Sequence, residues 1–122
     1  MAKFGAEVLK KTTGLTGLLV AKNPRHELGV LYTKILRCLE KMPESAAYRK
    51  HTAEITTKRQ DIINKADNIA EIEKQIDCGQ IEEVIIQAEN ELRLARKMLT
   101  WKPWEPLLRE PPPNQWTWPP VK

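Results

Sequence analysis

The chain has 122 residues, 41% of them hydrophobic and 30% charged, a length that suits one domain with a core of modest size; no apolar run reaches the roughly 18 residues a membrane span needs. Its two cysteines, Cys38 and Cys78, have no CxxC spacing, which excludes a disulfide framework and a zinc ribbon, and His26 and His51 leave little material for acid–base or metal chemistry. The net charge of +4 sits at the ends: residues 1–22 contribute +3, residues 101–122 contribute +1, and residues 23–100 are neutral, so the body lacks the basic face of a nucleic-acid binder.

Residues 1–22 carry Lys3, Lys10 and Lys11 with almost no acid, a pattern compatible with a mitochondrial targeting segment. Thr12, Thr13, Gly14 and Gly17 give this segment no helical or strand period. The middle zone, 23–100, is rich in Glu, Lys, Ile, Leu and Ala and reads as helices. Asn23 is placed to cap the first, with Pro24 at its first position, where a missing N–H costs nothing. Leu28, Leu31, Tyr32, Ile35, Leu36, Leu39 and Met42 then fall within about 140° of one another, and Pro43 ends the helix. Gly29 inside it costs about 1 kcal/mol relative to Ala.

A second helix is expected from Glu44 or Ser45, with Tyr48, Thr52, Ile55, Ile62 and Ile63 on one side. Arg59 interrupts that stripe, so this helix needs neighbours to hold it. Asp67 or Asn68 caps a short segment carrying Ile69, Ile72 and Ile76, and Gly79 supplies a left-handed stop. The third helix of the bundle, Gln80 to about Thr100, is the clearest. Ile81, Val84, Ile85, Ala88, Leu92, Ala95 and Leu99 occupy an arc of about 100°. Acids in its first turn (Glu82, Glu83) and bases in its last turns (Arg93, Arg96, Lys97) complement the helix macrodipole. Pro103 prevents continuation. The expected fold is all-α: a small three-helix antiparallel bundle over 23–100, an irregular N-terminal segment over 1–22 and an extended Pro/Trp-rich tail over 101–122.

That tail holds seven of the nine prolines and all four tryptophans. Proline removes backbone donors and fixes φ, so the stretch is expected to run extended, partly as polyproline II. Each indole can bury on the order of 150–250 Å², and an extended chain cannot bury such rings within itself. Either the chain's own bundle or a partner must cover Trp101, Trp104, Trp116 and Trp118, together with Leu107 and Leu108. Ile86, Leu94 and Met98 lie off the main stripe of the third helix and extend the candidate partner surface. From Ala66 to Glu91 eight acids face Lys74 alone, which suits a basic partner or a solvated helix face equally.

Catalytic signatures are absent. No GxSxG, Walker A or GxGxxG motif occurs, and neither histidine has a nucleophile at a diagnostic spacing. Carboxylate pairs such as Glu82 and Glu89 lack the Glu-x-x-His element of di-iron bundles, so no metal or other cofactor is expected. A single-stranded nucleic-acid module stacking bases on the tryptophans is the alternative from another class, and the neutral body argues against it.

Several segments carry a family resemblance: Leu9-Lys10-Lys11-Thr12-Thr13-Gly14-Leu15, Leu31-Tyr32-Thr33-Lys34-Ile35-Leu36, Ala46-Ala47-Tyr48-Arg49-Lys50, Gly79-Gln80-Ile81-Glu82-Glu83-Val84-Ile85, Leu94-Ala95-Arg96-Lys97-Met98, Trp101-Lys102-Pro103-Trp104-Glu105-Pro106-Leu107 and Gln115-Trp116-Thr117-Trp118-Pro119. Together they span nearly the whole chain, which resembles the alpha subcomplex subunit 5 family of NADH:ubiquinone oxidoreductase, respiratory complex I. The resemblance implies an accessory subunit without cofactor or catalytic residues, peripheral to the mitochondrial inner membrane on the matrix arm. It further implies contact with the core iron–sulfur protein 3 subunit, a role in assembly and stability, and an import signal retained in the mature chain. It also implies a three-helix bundle with an extended carboxyl segment. The LYR-motif adaptors are a competing class of small helical mitochondrial proteins. Here Leu31-Tyr32 is followed by Thr33 instead of arginine, and the only phenylalanine, Phe4, lies upstream of that site, so the LYR reading is set aside.

Overall fold

The computed structural model describes residues 10–120. Among them lie four α-helices and no strand: α1 Pro24–Glu40, α2 Ala47–Lys65, α3 Ile69–Ile76 and α4 Ile81–Trp101. The expectations placed on Lys3, Phe4 and Lys122 lie outside the described residues. Helix α1 is central, packing against both α2 and α4, while α3 touches α2 and α4. The expected bundle of three helices therefore has a fourth element, because the short capped segment is a helix in its own right.

Local chemistry explains the boundaries. Pro24 opens α1, and Asn23 sits at the cap position without making a side-chain cap, so the expected Asn23 cap bond does not form. The start of α1 is instead tied down by Arg25, whose guanidinium donates to the carbonyls of Ile63 and Ala66 at the end of α2. That contact satisfies carbonyls left open by the helix end and places a cation at the negative pole of α2. Helix α1 stops at Glu40, and Met42, in the turn that follows, is still buried. Helix α2 begins at Ala47, later than expected, because Ala46 N–H bonds back to Pro43 in a turn that occupies the residues before it. Asn68 resolves the alternatives for α3: its Oδ1 accepts the Glu71 N–H at 2.8 Å.

Helix α3 ends at Asp77, which adopts the left-handed conformation (φ 57°, ψ 43°). The stop assigned to Gly79 therefore belongs to Asp77. Gly79 serves the start of α4 instead: it has φ +87°, and a Cβ there would collide with the Glu83 carboxylate, which accepts the Gln80 N–H at 2.8 Å.

The core follows the predicted stripes. Leu28, Tyr32, Ile35, Leu39 and Met42 meet Ile81, Val84, Ile85, Ala88, Leu92 and Ala95, with Ile63 and Ile72 closing the lower edge. One member of the expected α2 stripe differs: Ile55 is 55% exposed, whereas Thr56, outside that stripe, is buried. Arg59 lies on the same side of α2. It lies half-buried across the bundle, donating to Gln87 Oε1 at 3.2 Å and contacting Cys78 Sγ at 3.4 Å. A long cation with an apolar stem thus fills the space that a hydrophobic residue would have taken.

Gly29 offers a direct test of the packing account. It sits inside α1, and a Cβ there would meet no neighbour within 4 Å. Gly29→Ala is expected to stabilise the protein by about 0.5–1 kcal/mol, read as a higher denaturation midpoint with an unchanged slope.

Candidate functional site

The tail leaves α4 at Lys102, which takes the left-handed conformation (φ 51°) and returns its N–H to Met98. Three further backbone bonds fold it: Glu105 N–H to Lys102, Gln115 N–H to Pro112 and Thr117 N–H to Asn114. The expected extended tail is thus interrupted by turns. Lys102 and Asn114, both at positive φ, reverse the chain between proline-stiffened pieces.

The candidate contact residues divide by exposure. Trp116 and Trp118 are 90% and 85% exposed, and Leu107 and Leu108 are also open. Trp101, the last residue of α4, is exposed as well. Trp104 packs partly against the core, so the bundle covers this one indole itself. Of the three apolar residues on α4, Ile86 and Leu94 are exposed, while Met98 packs partly into the core.

Beside Leu94 lies a groove of about 410 Å³ between α1, α2 and α4. Tyr32, Ile35 and Ala88 form its floor, and Ile55, Arg59 and Leu94 line it. Ile86, Leu94 and Trp101 fall within about 80° of one another around α4. These three apolar side chains, with Asn90 and Lys97 between them, mark one open side of α4 from beside the groove toward the tail.

The acid-rich stretch is less free than its sequence suggests. Glu82 is only 3% exposed. Lys10 pairs with its Oε1, and the Ala21 N–H donates to its Oε2 at 3.1 Å. Gln80 extends the same contact, accepting from Lys10 and donating to the Thr13 carbonyl at 2.7 Å. Residues 10–21 are thereby fastened to the first turn of α4. Sequence reading missed this latch, since nothing in a helix-surface pattern distinguishes one buried acid among eight. Glu91 is also engaged, accepting the Tyr48 hydroxyl. Burial and the Glu91 carboxylate both push the Tyr48 phenol above its ordinary pKa.

Burial alone would raise the pKa of Glu82, but hydrogen bonds from Lys10 and the Ala21 amide, with the Lys10 charge, outweigh it and hold the carboxyl below its ordinary 4.5. A lowered folded-state pKa contributes stability that is complete above 4.5 and is lost as pH falls through the folded value. Amide exchange at Ala21 is therefore expected to accelerate as pH drops below 4.5, relative to the intrinsic rate, before the amide of Leu92 loses protection. Glu82→Gln should abolish that pH dependence.

His26 and His51 are both exposed, on α1 and α2 respectively. Cys38 is buried, and desolvation raises its thiol pKa despite Lys41 and Arg96 nearby. Among the described residues no group of three His, Cys, Asp or Glu side chains is placed to hold a metal, and no helix is long and apolar enough to cross a membrane.

Fold and site together define a small helical bundle with a latched amino segment and an exposed Trp/Pro-rich tail. The chain belongs to the family described as ETC complex I subunit conserved region, whose model matches residues 17–83. It is similar to NADH dehydrogenase [ubiquinone] 1 alpha subcomplex subunit 5 of Bos taurus, with 54% identity over 114 residues, 93% of this chain and 98% of the bovine protein. The Mus musculus protein of the same name is also 54% identical over the same shares. A Caenorhabditis elegans protein named as a probable subunit 5 is 45% identical over 97% of this chain and 79% of its own length. These likenesses agree with the family resemblance drawn from the sequence motifs.

Proposed function

We propose that this chain is a non-catalytic accessory subunit of mitochondrial respiratory complex I, supporting assembly and stability of the enzyme that passes electrons from NADH to ubiquinone. Membership of the complex I subunit family carries the reading, with about half-identical relatives matched along nearly their full length. The chain acts from the matrix side as a peripheral subunit, with the core iron–sulfur protein 3 subunit as its chief neighbour.

Its three regions divide the work. Residues 1–22 serve import, after which the stretch 10–21 fastens to the body, and residues 23–100 form the scaffold. In that scaffold α1, α2 and α4 run as an antiparallel frame, with α3 as a clip across it; the short link 41–46 is of the kind that reverses helix direction. Residues 101–122 dock. Open indoles and leucines on a turn-rich, proline-stiffened tail lose little conformational freedom on binding, which favours contact with a partner.

Native electrophoresis of mitochondria lysed under mild conditions tests the reading. The chain is expected to migrate with an assembly of many subunits, and its depletion should remove the assembled matrix arm. Migration as a free monomer would contradict the proposal.

A further inference from the structure

We infer that the exposed face of α4, with the groove beside it, receives an acidic apolar segment of a neighbouring protein subunit. This deepens the accessory-subunit reading and rests on it. Two independent features of the surface converge here. The first is apolar: Ile86, Leu94 and Trp101 are exposed along one side of α4, and Ile55 of α2 lines the groove together with Leu94.

The second is electrostatic. From Leu92 to Trp104 the chain carries Arg93, Arg96, Lys97 and Lys102 and no acidic residue. All four cations are exposed, and none makes an ion pair among the described residues; Arg93 donates only to the Asn90 side chain. On the helix, Arg93 and Lys97 lie on the side that carries Ile86. The groove lining itself holds Arg59 and one carboxylate, Glu91, which the Tyr48 hydroxyl engages; with Arg93 and Lys97 flanking Leu94 on the open side of α4, the balance of charge complements a segment that brings carboxylates together with a side chain to insert.

The concavity favours a protein over a membrane surface. Its apolar residues come from three helices, Tyr32, Ile35 and Ala88 forming a floor between Ile55 and Leu94; that hollow suits an inserted side chain, whereas a bilayer surface is met by one convex helical face. A second copy of this chain could offer the acid-rich stretch 66–91, and it is an outcome of the test.

The experiment places p-benzoylphenylalanine at Leu94, or at Ile86 in a second variant, in the full chain expressed in mitochondria. After irradiation, the complex is isolated and the cross-linked peptide is identified. The expected product joins this chain to another subunit through a peptide containing Asp or Glu. Arg93→Glu with Lys97→Glu should lower the yield several-fold, while Arg93→Lys with Lys97→Arg should preserve it. Several outcomes in a chain that has entered the complex overturn the inference alone: cross-links only within this chain, to a second copy or to lipid, no cross-link, or a yield insensitive to charge reversal. A chain that never enters a complex contradicts both this inference and the accessory-subunit reading.

Discussion

Deletion of residues 106–122 is expected to leave the helical bundle folded and to abolish stable incorporation into the complex. The cut spares α4 through Trp101 and the partly packed Trp104. It removes Leu107, Leu108, Trp116 and Trp118, whose side chains are exposed and contribute little to the isolated fold. At a partner surface, buried tryptophans commonly act as anchors worth about 2 kcal/mol or more each, and about 1.4 kcal/mol is tenfold in affinity. Losing two such anchors weakens binding on the order of a thousandfold. Far-UV circular dichroism and a denaturation midpoint within error of the full chain, with loss from the native complex, are the expected pair of results. A bundle that melts on truncation would show that the tail belongs to the chain's own fold.

Replacing Ile35 by Ala is expected to have the largest effect on stability. Ile35 is fully buried in α1, the helix that packs against both α2 and α4. Truncating a buried Ile costs about 2–5 kcal/mol, from lost transfer energy and the cavity left behind. A domain of this size has only about 5–15 kcal/mol in total, so a large part of its stability would go. Urea denaturation should show a lower midpoint with little change in slope. An unchanged midpoint would mean that α1 is not the centre of the core.

The helices that sequence made legible are those whose burial is one-sided. Helix α4 presents a narrow apolar arc and acids in its first turn, though with no base in its last, and its observed span differs from the expected one by a residue at each end. Helix α1 likewise buries Leu28, Tyr32, Ile35 and Leu39 as its period requires. Helix α2 was harder to read because its inward face is built from Thr52, Thr56 and Ile63 around a half-buried arginine. Ile55, apolar by type, points away from that core and is exposed. Its position follows from the placement of α2 against α1, which the pattern of one helix does not contain.

The same limit applies to the surface. Exposed indoles could be anticipated from proline density and the scarcity of core, but a turn that lets Trp104 reach back depends on Lys102 adopting positive φ. The pairing of Lys10 with Glu82 spans 72 positions. No local rule selects Glu82 from the eight acids of residues 66–91. Only the docking of residues 10–21 on the first turn of α4 makes that carboxylate interior.

Hydroxyl-radical footprinting of the tail tryptophans tests the central claim most directly. Oxidation of Trp116 and Trp118 should be rapid in the isolated chain, where both rings are nearly fully exposed, and strongly suppressed in the assembled complex. Equal oxidation in the two states would contradict the account, because the indoles would then have no partner to cover them.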